Sequence, residues 1–208
     1  IPVDDLYYTR WVTDASWSPD GREIAFSMDM SGRVNLWKVS AEGGWPIQLV
    51  QSDELQLGAA WSPDGKWIVF QQDSGGNELW DIVAVPSDGG EALNLTHSAD
   101  IREEAPRWSP DGSTIAVNYK TKEGTQYDLA LLDWASHKVR KLTQEDKPDR
   151  SWSSVAWSPD GKTLYANRIE VSQADGDVYA IDVATGVSTN LTPHQGSVLN
   201  FASSLSPD

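Results

Sequence analysis

Cysteine is absent from all 208 residues of the sequence. Disulfides, thiolate metal sites and cysteine nucleophiles are therefore excluded. No apolar run approaches the roughly 20 residues that a transmembrane helix requires, so we expect no membrane insertion. The first residue is Ile1 and no signal peptide is present, which is typical of a processed chain or of a segment cut from a longer one. We expect a soluble protein, and the compartment stays open between cytoplasmic and periplasmic or other extracytoplasmic locations.

Basic residues are also scarce. Lysine and arginine number 16 against 31 aspartates and glutamates, so the formal net charge is −15. Without a basic cluster to offset that charge, we exclude nucleic acid as a partner and disfavour anionic membrane surfaces. The acidic excess favours either solubility alone or an acidic face that attracts a basic partner or a free amine.

Tryptophan, in contrast, is abundant, and four of the 11 tryptophans begin a repeated pentapeptide. W-S-P-D-G occupies positions 17–21, 61–65, 108–112 and 157–161, and Leu205-Ser206-Pro207-Asp208 resembles a fifth copy. A leucine follows the motif tryptophan by 34 residues in the second, third and fourth units, where it begins a Leu-Thr pair. Constant spacing within a unit and variable spacing between units indicate packed modules joined by loops.

Each unit contains β-strand patterns and no helical period. Short apolar runs such as Ile24-Ala25-Phe26 and Ile68-Val69-Phe70 stand at the same offset after each motif. Ser-Pro-Asp-Gly favours a type I turn closed by a glycine bulge, because proline presets φ and glycine accepts positive φ. Four strands per unit of 44 to 49 residues predict an all-β protein of the β-propeller class, with one unit per blade.

We predict four full blades and the start of a fifth, forming part of a seven- or eight-bladed ring. The expected divisions are an opening segment 1–12, blades at 13–57, 58–104, 105–153 and 154–200, and the first strand of a fifth blade at 201–208. A single blade cannot bury both of its faces, so each motif tryptophan is expected to be an apolar wedge between neighbouring blades. Open blade edges would favour self-association.

The motif residues are therefore interpreted as structural. They are Trp17, Asp20, Gly21, Trp61, Asp64, Gly65, Trp108, Asp111, Gly112, Trp157, Asp160 and Gly161.

The W-S-P-D-G hairpin, the I-A-F-like strand and the closing Leu-Thr together resemble the repeat of TolB-type propellers, relatives of the WD repeat. The opening segment, residues 1–21, is similar to the start of the N-terminal propeller in prolyl oligopeptidase-type serine peptidases, the acylaminoacyl peptidase and dipeptidyl peptidase group. That resemblance implies a propeller that covers an α/β-hydrolase domain and filters or positions peptides, with the catalytic triad in the other domain.

No G-x-S-x-G nucleophile elbow occurs in the chain. We therefore expect no catalytic residues in this segment and a catalytic domain beyond Asp208, if the parent is a peptidase. The predicted function is gating or docking of peptides for that domain. The alternative is a TolB-like scaffold that binds a protein partner, and a propeller lyase or hydrolase with its own site is the weakest interpretation. The predicted partner is thus a peptide or a protein, with no cofactor.

Acidic residues cluster in the connections that a propeller places on one face. As candidate binding residues we select Asp53, Glu54, Asp100, Glu103, Glu104 and Asp146. Glu103-Glu104 resembles the glutamate pair by which dipeptidyl peptidases hold a free α-amine, although solvated loop residues are the simpler interpretation. His97, His137 and His194 are expected to be solvated loop residues, and we predict no metal site. The stretches 73–77 and 175–177 are interpreted as turns.

Overall fold

The computed structural model describes residues 10–170, 172 and 174–206. Within that part of the chain there are four antiparallel sheets of four strands each and no helix, so the all-β propeller prediction is confirmed. The strands are Val12–Trp17 (β1), Glu23–Met28 (β2), Asn35–Ser40 (β3), Ile47–Gln48 (β4), Gln56–Trp61 (β5), Trp67–Gln72 (β6), Asp81–Pro86 (β7), Leu93–Asn94 (β8), Ile101–Trp108 (β9), Thr114–Thr121 (β10), Asp128–Asp133 (β11), Val139–Lys141 (β12), Ser151–Trp157 (β13), Thr163–Ile169 (β14), Gly176–Asp182 (β15) and Ser188–Asn190 (β16).

Each blade is a simple meander, because its strands pair in chain order. The first strands of successive blades contact one another, β1 with β5, β5 with β9 and β9 with β13, so they lie together on the inner side. The first strands begin at residues 12, 56, 101 and 151, one to three residues before the expected blade divisions in blades 1, 2 and 4 and four before in blade 3.

The repeated pentapeptide forms the turn between the first and second strands. In blade 1 the amide of Gly21 donates to the Ser18 oxygen at 2.9 Å, and Gly21 has a φ of 69°. The Asp20 carboxylate accepts from the Ser18 hydroxyl at 2.7 Å and from the Arg22 amide at 3.1 Å. These hydrogen bonds recur in the other three copies, and they lower the pKa of each motif aspartate. The serine and aspartate thus close the turn that proline and glycine shape.

Three hydrophobic cores lie between neighbouring blades. Successive side chains of one strand point to opposite faces of the blade and so enter two different cores. Ile68 packs toward blade 1, while Val69 packs toward blade 3. The third core joins blades 3 and 4 through residues such as Leu131 and Leu164. A blade in this arrangement is stabilised by its neighbours on both faces, as the repeat spacing predicts.

Three motif tryptophans lie at these junctions. The indole Nε1 of Trp61 donates to the backbone oxygen of Ser16 at 3.0 Å, and the same bond joins Trp108 to Ala60 at 3.2 Å. Trp157 donates likewise to Arg107 at 3.0 Å. Trp17 differs from the expected wedge, because 60% of its surface is exposed and no described residue forms a blade on that side.

In blades 2, 3 and 4 the threonine of the closing Leu-Thr pair hydrogen-bonds to the third strand. The Thr96 hydroxyl accepts the Ile82 amide at 3.0 Å and donates to Asp81 at 3.3 Å. Blades 3 and 4 repeat this arrangement with Thr143 on Asp128 and Thr192 on Asp177. In blade 1 a valine replaces the threonine, and the Leu36 amide instead donates to Oε1 of Gln56, at 3.0 Å.

In each earlier blade, the first strand of the next blade hydrogen-bonds to a residue near the start of the third strand. Residues near the end of the chain contact blade 4 in the same way. The Asn200 amide donates to the Gly176 oxygen at 2.8 Å, as Trp152 does to Tyr127 at 2.9 Å. Residues 201–206 are not in a strand, and Pro207 and Asp208 lie outside the described residues. Of the opening segment, residues 1–9 also lie outside them, so the predicted role of that stretch in starting the propeller remains an expectation.

Apolar side chains are exposed at both ends of the blade series. Trp17 and Val12 are 60% and 56% exposed on blade 1, and Val187 and Leu191 are 64% and 48% exposed on blade 4. Self-association through these faces stays a prediction.

Candidate functional site

The ends of the four first strands line an axial cleft of about 700 Å³. Its walls are largely apolar, with the motif prolines Pro19, Pro63 and Pro110 and several motif tryptophans. Asp14 and Arg107 are the charged side chains that line it. Cleft sites of this volume, with apolar walls and a few polar groups, suit peptides and small organic molecules.

Side chains of the second strands hold the cleft wall in place. Oε1 of Gln71 accepts the Ala105 amide at 2.9 Å, and Oδ1 of Asn118 accepts the Ser154 amide at 3.0 Å. The Asn167 oxygen accepts the Ala202 amide at 2.9 Å in the same way. We call this hydrogen bond between a second-strand amide side chain and the backbone that follows its blade the inter-blade latch. Each accepting residue stands ten positions after the motif tryptophan, and this constant spacing is a signal in the repeat that was missed at the level of sequence.

Blade 1 has a shorter side chain, Ser27, at the latch position. In blade 1 the inter-blade hydrogen bonds come instead from Asp14, a residue of the first strand. Its carboxylate accepts the Gly58 amide at 3.0 Å and the Ala59 amide at 3.4 Å. The Ser27 hydroxyl also donates to this carboxylate, at 3.2 Å. Both oxygens of Asp14 are therefore engaged within the fold.

Three of the candidate acidic residues are exposed in the connecting loops. Asp53, Asp100 and Asp146 form no ion pair with any described residue. Asp53 also lines a smaller cleft of about 340 Å³ together with Arg33. Glu54 is half-buried, and its Oε2 accepts the Gly75 amide at 2.6 Å, so this carboxylate ties two loops together.

Glu103 and Glu104 lie in strand β9 of blade 3 and not in a loop. Glu103 is 1% exposed, its Oε1 accepts the Ser98 hydroxyl at 2.9 Å, and its Oε2 has no hydrogen-bond partner among the described residues. Burial raises the pKa of Glu103 to about 7. Glu104 instead binds Nε of Arg102 at 2.6 Å. Since neighbouring strand residues point to opposite sides, the two carboxylates do not form a joint amine site.

Arginines neutralise part of the acidic face, a pairing that the residue pattern along the loops does not indicate. Arg168 lies 2.6 Å from Oε2 of Glu145 and 3.0 Å from Oε1 of Glu170, and its guanidinium stacks 5.1 Å from the Trp152 ring centroid. Arg150 approaches Glu170 at 3.5 Å. Arg168 and Glu145 are 23 residues apart, so the sequence signals no pairing between them until the strands are arranged in space.

The histidines divide into two kinds. His97 and His137 are exposed, as expected, with φ values of 48° and 57°. The expectation of a solvated loop is wrong for His194, whose ring nitrogens lie 2.9 Å from Oδ1 of Asp177 and 3.0 Å from Oδ1 of Asp175. These carboxylates, Asp177 foremost, raise the pKa of His194.

Asp177 itself is almost fully buried in the strand that follows its loop. Burial opposes ionisation of its carboxyl, but hydrogen bonds from Asn190, Thr192, His194 and Asn200 outweigh it and lower the pKa to about 2. The interpretation of residues 175–177 as a turn is wrong, because strand β15 begins at Gly176. The turn at 73–77 is present, with Gly75 and Gly76 at positive φ.

The histidines lie away from the axial cleft in the described part of the chain. None of the three histidines lines the axial cleft. Among residues 10–170, 172 and 174–206, no group of three or more histidine and carboxylate side chains is arranged to hold a metal ion. Nor does that part of the chain contain a helix long and apolar enough to cross a membrane.

Comparison with known proteins extends this picture. Over 177 residues the chain is 28% identical to an uncharacterised peptidase, YuxL, from Bacillus subtilis, covering 85% of this chain and 20% of that protein. The chain therefore spans about a fifth of the length of this relative.

Two solved structures share the fold. A protein described as TolB from Agrobacterium tumefaciens has a TM-score of 0.70 at 24% identity, over 86% of this chain and 64% of that one. A puromycin hydrolase has a TM-score of 0.65 at 20% identity, over 86% of this chain and 28% of that one. A model of the TolB beta propeller domain matches residues 10–155. With its repeated hairpins, inter-blade tryptophans and axial cleft, the chain belongs to the TolB β-propeller domain family.

Proposed function

We propose that this propeller segment is non-catalytic and docks or gates peptides for a serine peptidase domain carried elsewhere in its parent protein. One observation carries the proposal: the first strands of all four blades converge on an apolar cleft of about 700 Å³. A cleft on the propeller axis is placed to admit an extended chain and to exclude a folded one, which is what a gate requires.

The relatives support the same direction. The curated relative from Bacillus subtilis is named a peptidase, and one similar structure is a puromycin hydrolase. Since this chain spans only 20% and 28% of those two proteins, their activities belong to whole proteins of which a propeller is one part. We infer that the chemistry resides outside the propeller and that the propeller selects what reaches it.

A direct test is peptide binding by the chain itself. A fluorescein-labelled alanine-rich hexapeptide should bind with an anisotropy change, whereas a folded protein competitor of equal charge should not displace it. Ala15→Trp narrows the cleft from an exposed position and should weaken binding. Val12→Trp, on the same strand but outside the cleft, is the matched control. An affinity for the hexapeptide that is the same in Ala15→Trp as in the wild type would refute docking in the cleft.

The second candidate is a TolB-like scaffold for a protein partner. Exposed Asp53, Asp100 and Asp146, unpaired within the described part of the chain, favour a basic partner surface. The two functions separate experimentally, because a scaffold that uses this loop face should be insensitive to Ala15→Trp and sensitive to the triple replacement of these aspartates by asparagine.

A further inference from the structure

The internal repeat provides a comparison for every position in the axial cleft. Immediately before the motif tryptophan the four blades carry Ser16, Ala60, Arg107 and Ala156. All four residues line the cleft, and three of them are small. The other three blades form the same strand without a long or charged side chain at this point, and Ser16 and Ala60 accept the same inter-blade bond as Arg107, so the fold does not require the arginine side chain.

The guanidinium of Arg107 is only partly engaged. Its Nε donates to the Ser154 backbone oxygen at 3.1 Å, which ties the side chain to the first strand of blade 4. Within the described residues its two Nη atoms have no hydrogen-bond partner, and no carboxylate lies within ion-pair distance. Arg102 and Arg168, by contrast, are each held by carboxylates at 2.6 Å.

The electrostatics of the cleft single out the same residue. Asp14 is the other charged side chain in the lining, and it is engaged by the Gly58 and Ala59 amides. In a chain of net charge −15, Arg107 is therefore the cationic side chain of this cleft lining, and it has no carboxylate partner among the described residues. A fixed guanidinium with free Nη atoms has the geometry to bind a carboxylate through two parallel hydrogen bonds.

We propose that Arg107 binds a carboxylate of a peptide lying in the axial cleft and thereby sets the register and direction in which the peptide docks. This inference rests on the proposed function and deepens it. The apolar walls formed by Pro63, Pro110 and Trp108 offer contact to side chains of the peptide, which a free inorganic anion lacks. The carboxylate comes either from the peptide C-terminus or from an acidic side chain.

The test compares three acetylated tripeptides: Ala-Ala-Phe as the free acid, Ala-Ala-Phe as the C-terminal amide, and Ala-Glu-Phe as the amide. Calorimetric titration of the wild-type chain should show the free acid binding about 10- to 100-fold more tightly than the first amide, the range expected for a charge-assisted hydrogen bond. If the glutamate peptide regains that affinity, the carboxylate is read from a side chain as well as from the C-terminus.

Variants assign the effect to the residue. Arg107→Met should abolish the preference for the acid, and Arg107→Lys should keep a reduced preference, since lysine retains the charge but not the fork. Arg33→Met, at a cleft elsewhere on the surface, should leave the preference unchanged. The acid-to-amide ratio is the readout, because it does not depend on the fraction of folded protein.

Each other outcome overturns a defined claim. Acid and amide that bind equally well, and that both weaken in Ala15→Trp, would sink the role of Arg107 while leaving peptide docking intact. No binding of any tripeptide would contradict both proposals. Displacement of the free acid by acetate at a similar concentration would reduce the site to a general anion site and overturn the peptide assignment.

Discussion

The indole nitrogen of Trp157 donates a hydrogen bond to the backbone oxygen of Arg107 at 3.0 Å. Trp157 is the last residue of the first strand of blade 4, and Arg107 immediately precedes the corresponding tryptophan, Trp108, in blade 3. Trp61 and Trp108 repeat this relationship one blade at a time. The pentapeptide thus does two things: its Ser-Pro-Asp-Gly part shapes a hairpin, and its tryptophan sets the spacing between blades.

The first prediction concerns this inter-blade bond. Trp157→Phe should lower the free energy of unfolding by about 1–3 kcal/mol, because the Arg107 carbonyl loses its donor in a part-buried bond and the smaller ring leaves space beside the buried indole. Trp17→Phe should change it by less than about 0.5 kcal/mol, since Trp17 is 60% exposed. Urea unfolding followed by circular dichroism measures both. Equal losses in the two variants would contradict an inter-blade role for the indole.

The second prediction concerns the threonine of the closing Leu-Thr pair. Thr143→Val should cost about 1–3 kcal/mol, because the buried Leu129 amide loses its acceptor and Asp128 loses a donor. Thr143→Ser keeps the hydroxyl and should recover most of the stability. Val50→Thr places a threonine at the equivalent position in blade 1, where Gln56 already accepts the amide. That variant is expected to be nearly neutral in urea unfolding, and a large gain there would argue against the assigned role of Gln56.

The third prediction uses the buried carboxyl of Glu103. Its pKa is raised from 4.5 to about 7, so its contribution to stability is fully present below pH 4.5 and is lost as the pH rises through 7. Glu103→Gln should therefore stabilise the protein at pH 8, by up to about 3 kcal/mol, and change little at pH 4.5. Glutamine already stands at the equivalent position in blade 2, as Gln56, where it is fully buried.

The control for this experiment is Glu104→Gln on the same strand. That substitution removes the partner of Arg102 and should destabilise the protein at pH 8. Unfolding curves at pH 4.5, 6 and 8 distinguish the two carboxylates. A pH-independent gain in Glu103→Gln would mean that the effect arises from packing and not from ionisation.

The fourth prediction concerns His194, which is held between Asp175 and Asp177. Because these carboxylates raise the pKa of His194, its stabilising contribution is fully present below the ordinary value of 6.5 and is lost as the pH rises through the folded value. The advantage of the wild type over His194→Gln should therefore shrink from pH 5.5 to pH 8.5 in urea unfolding. His97→Gln, at an exposed position, is the matched control, and an equal pH dependence in both variants would contradict the role of the two aspartates.

The architecture was largely predictable from the residues. Evenly spaced pentapeptides, short β-rich runs and turn residues at fixed offsets all favour the same four-stranded unit, and local preferences were strong enough to place the hairpin at each W-S-P-D-G copy. The predicted apolar runs at 24–26 and 68–70 both lie within second strands, β2 and β6. The beginning of blade 3 was harder, because Glu103 and Glu104 have low strand propensity and were assigned to a loop.

The candidate site was less predictable, since its properties depend on neighbours distant in sequence. The acidic face was inferred by counting carboxylates along the loops. Arg102, Arg150 and Arg168 reach several of those carboxylates, Glu103 is buried, and His194 is enclosed by two aspartates. Arg102 and Glu104 are two residues apart on one strand, but the pairs of Arg168 with Glu145 and of His194 with Asp177 join residues 23 and 17 positions apart, and these meet only when separate segments of the chain align.

By itself, the sequence determined the blade: a period of 44 to 49 residues, a hairpin at each W-S-P-D-G and a leucine at its outer strand. Backbone preferences and alternation of apolar residues act over a few positions, so a short stretch suffices to specify them. Only the tertiary structure decided which charges are paired and which remain free. Arg107 stands in the axial cleft without a carboxylate partner because blades folded from distant segments bring small side chains and an engaged Asp14 around it.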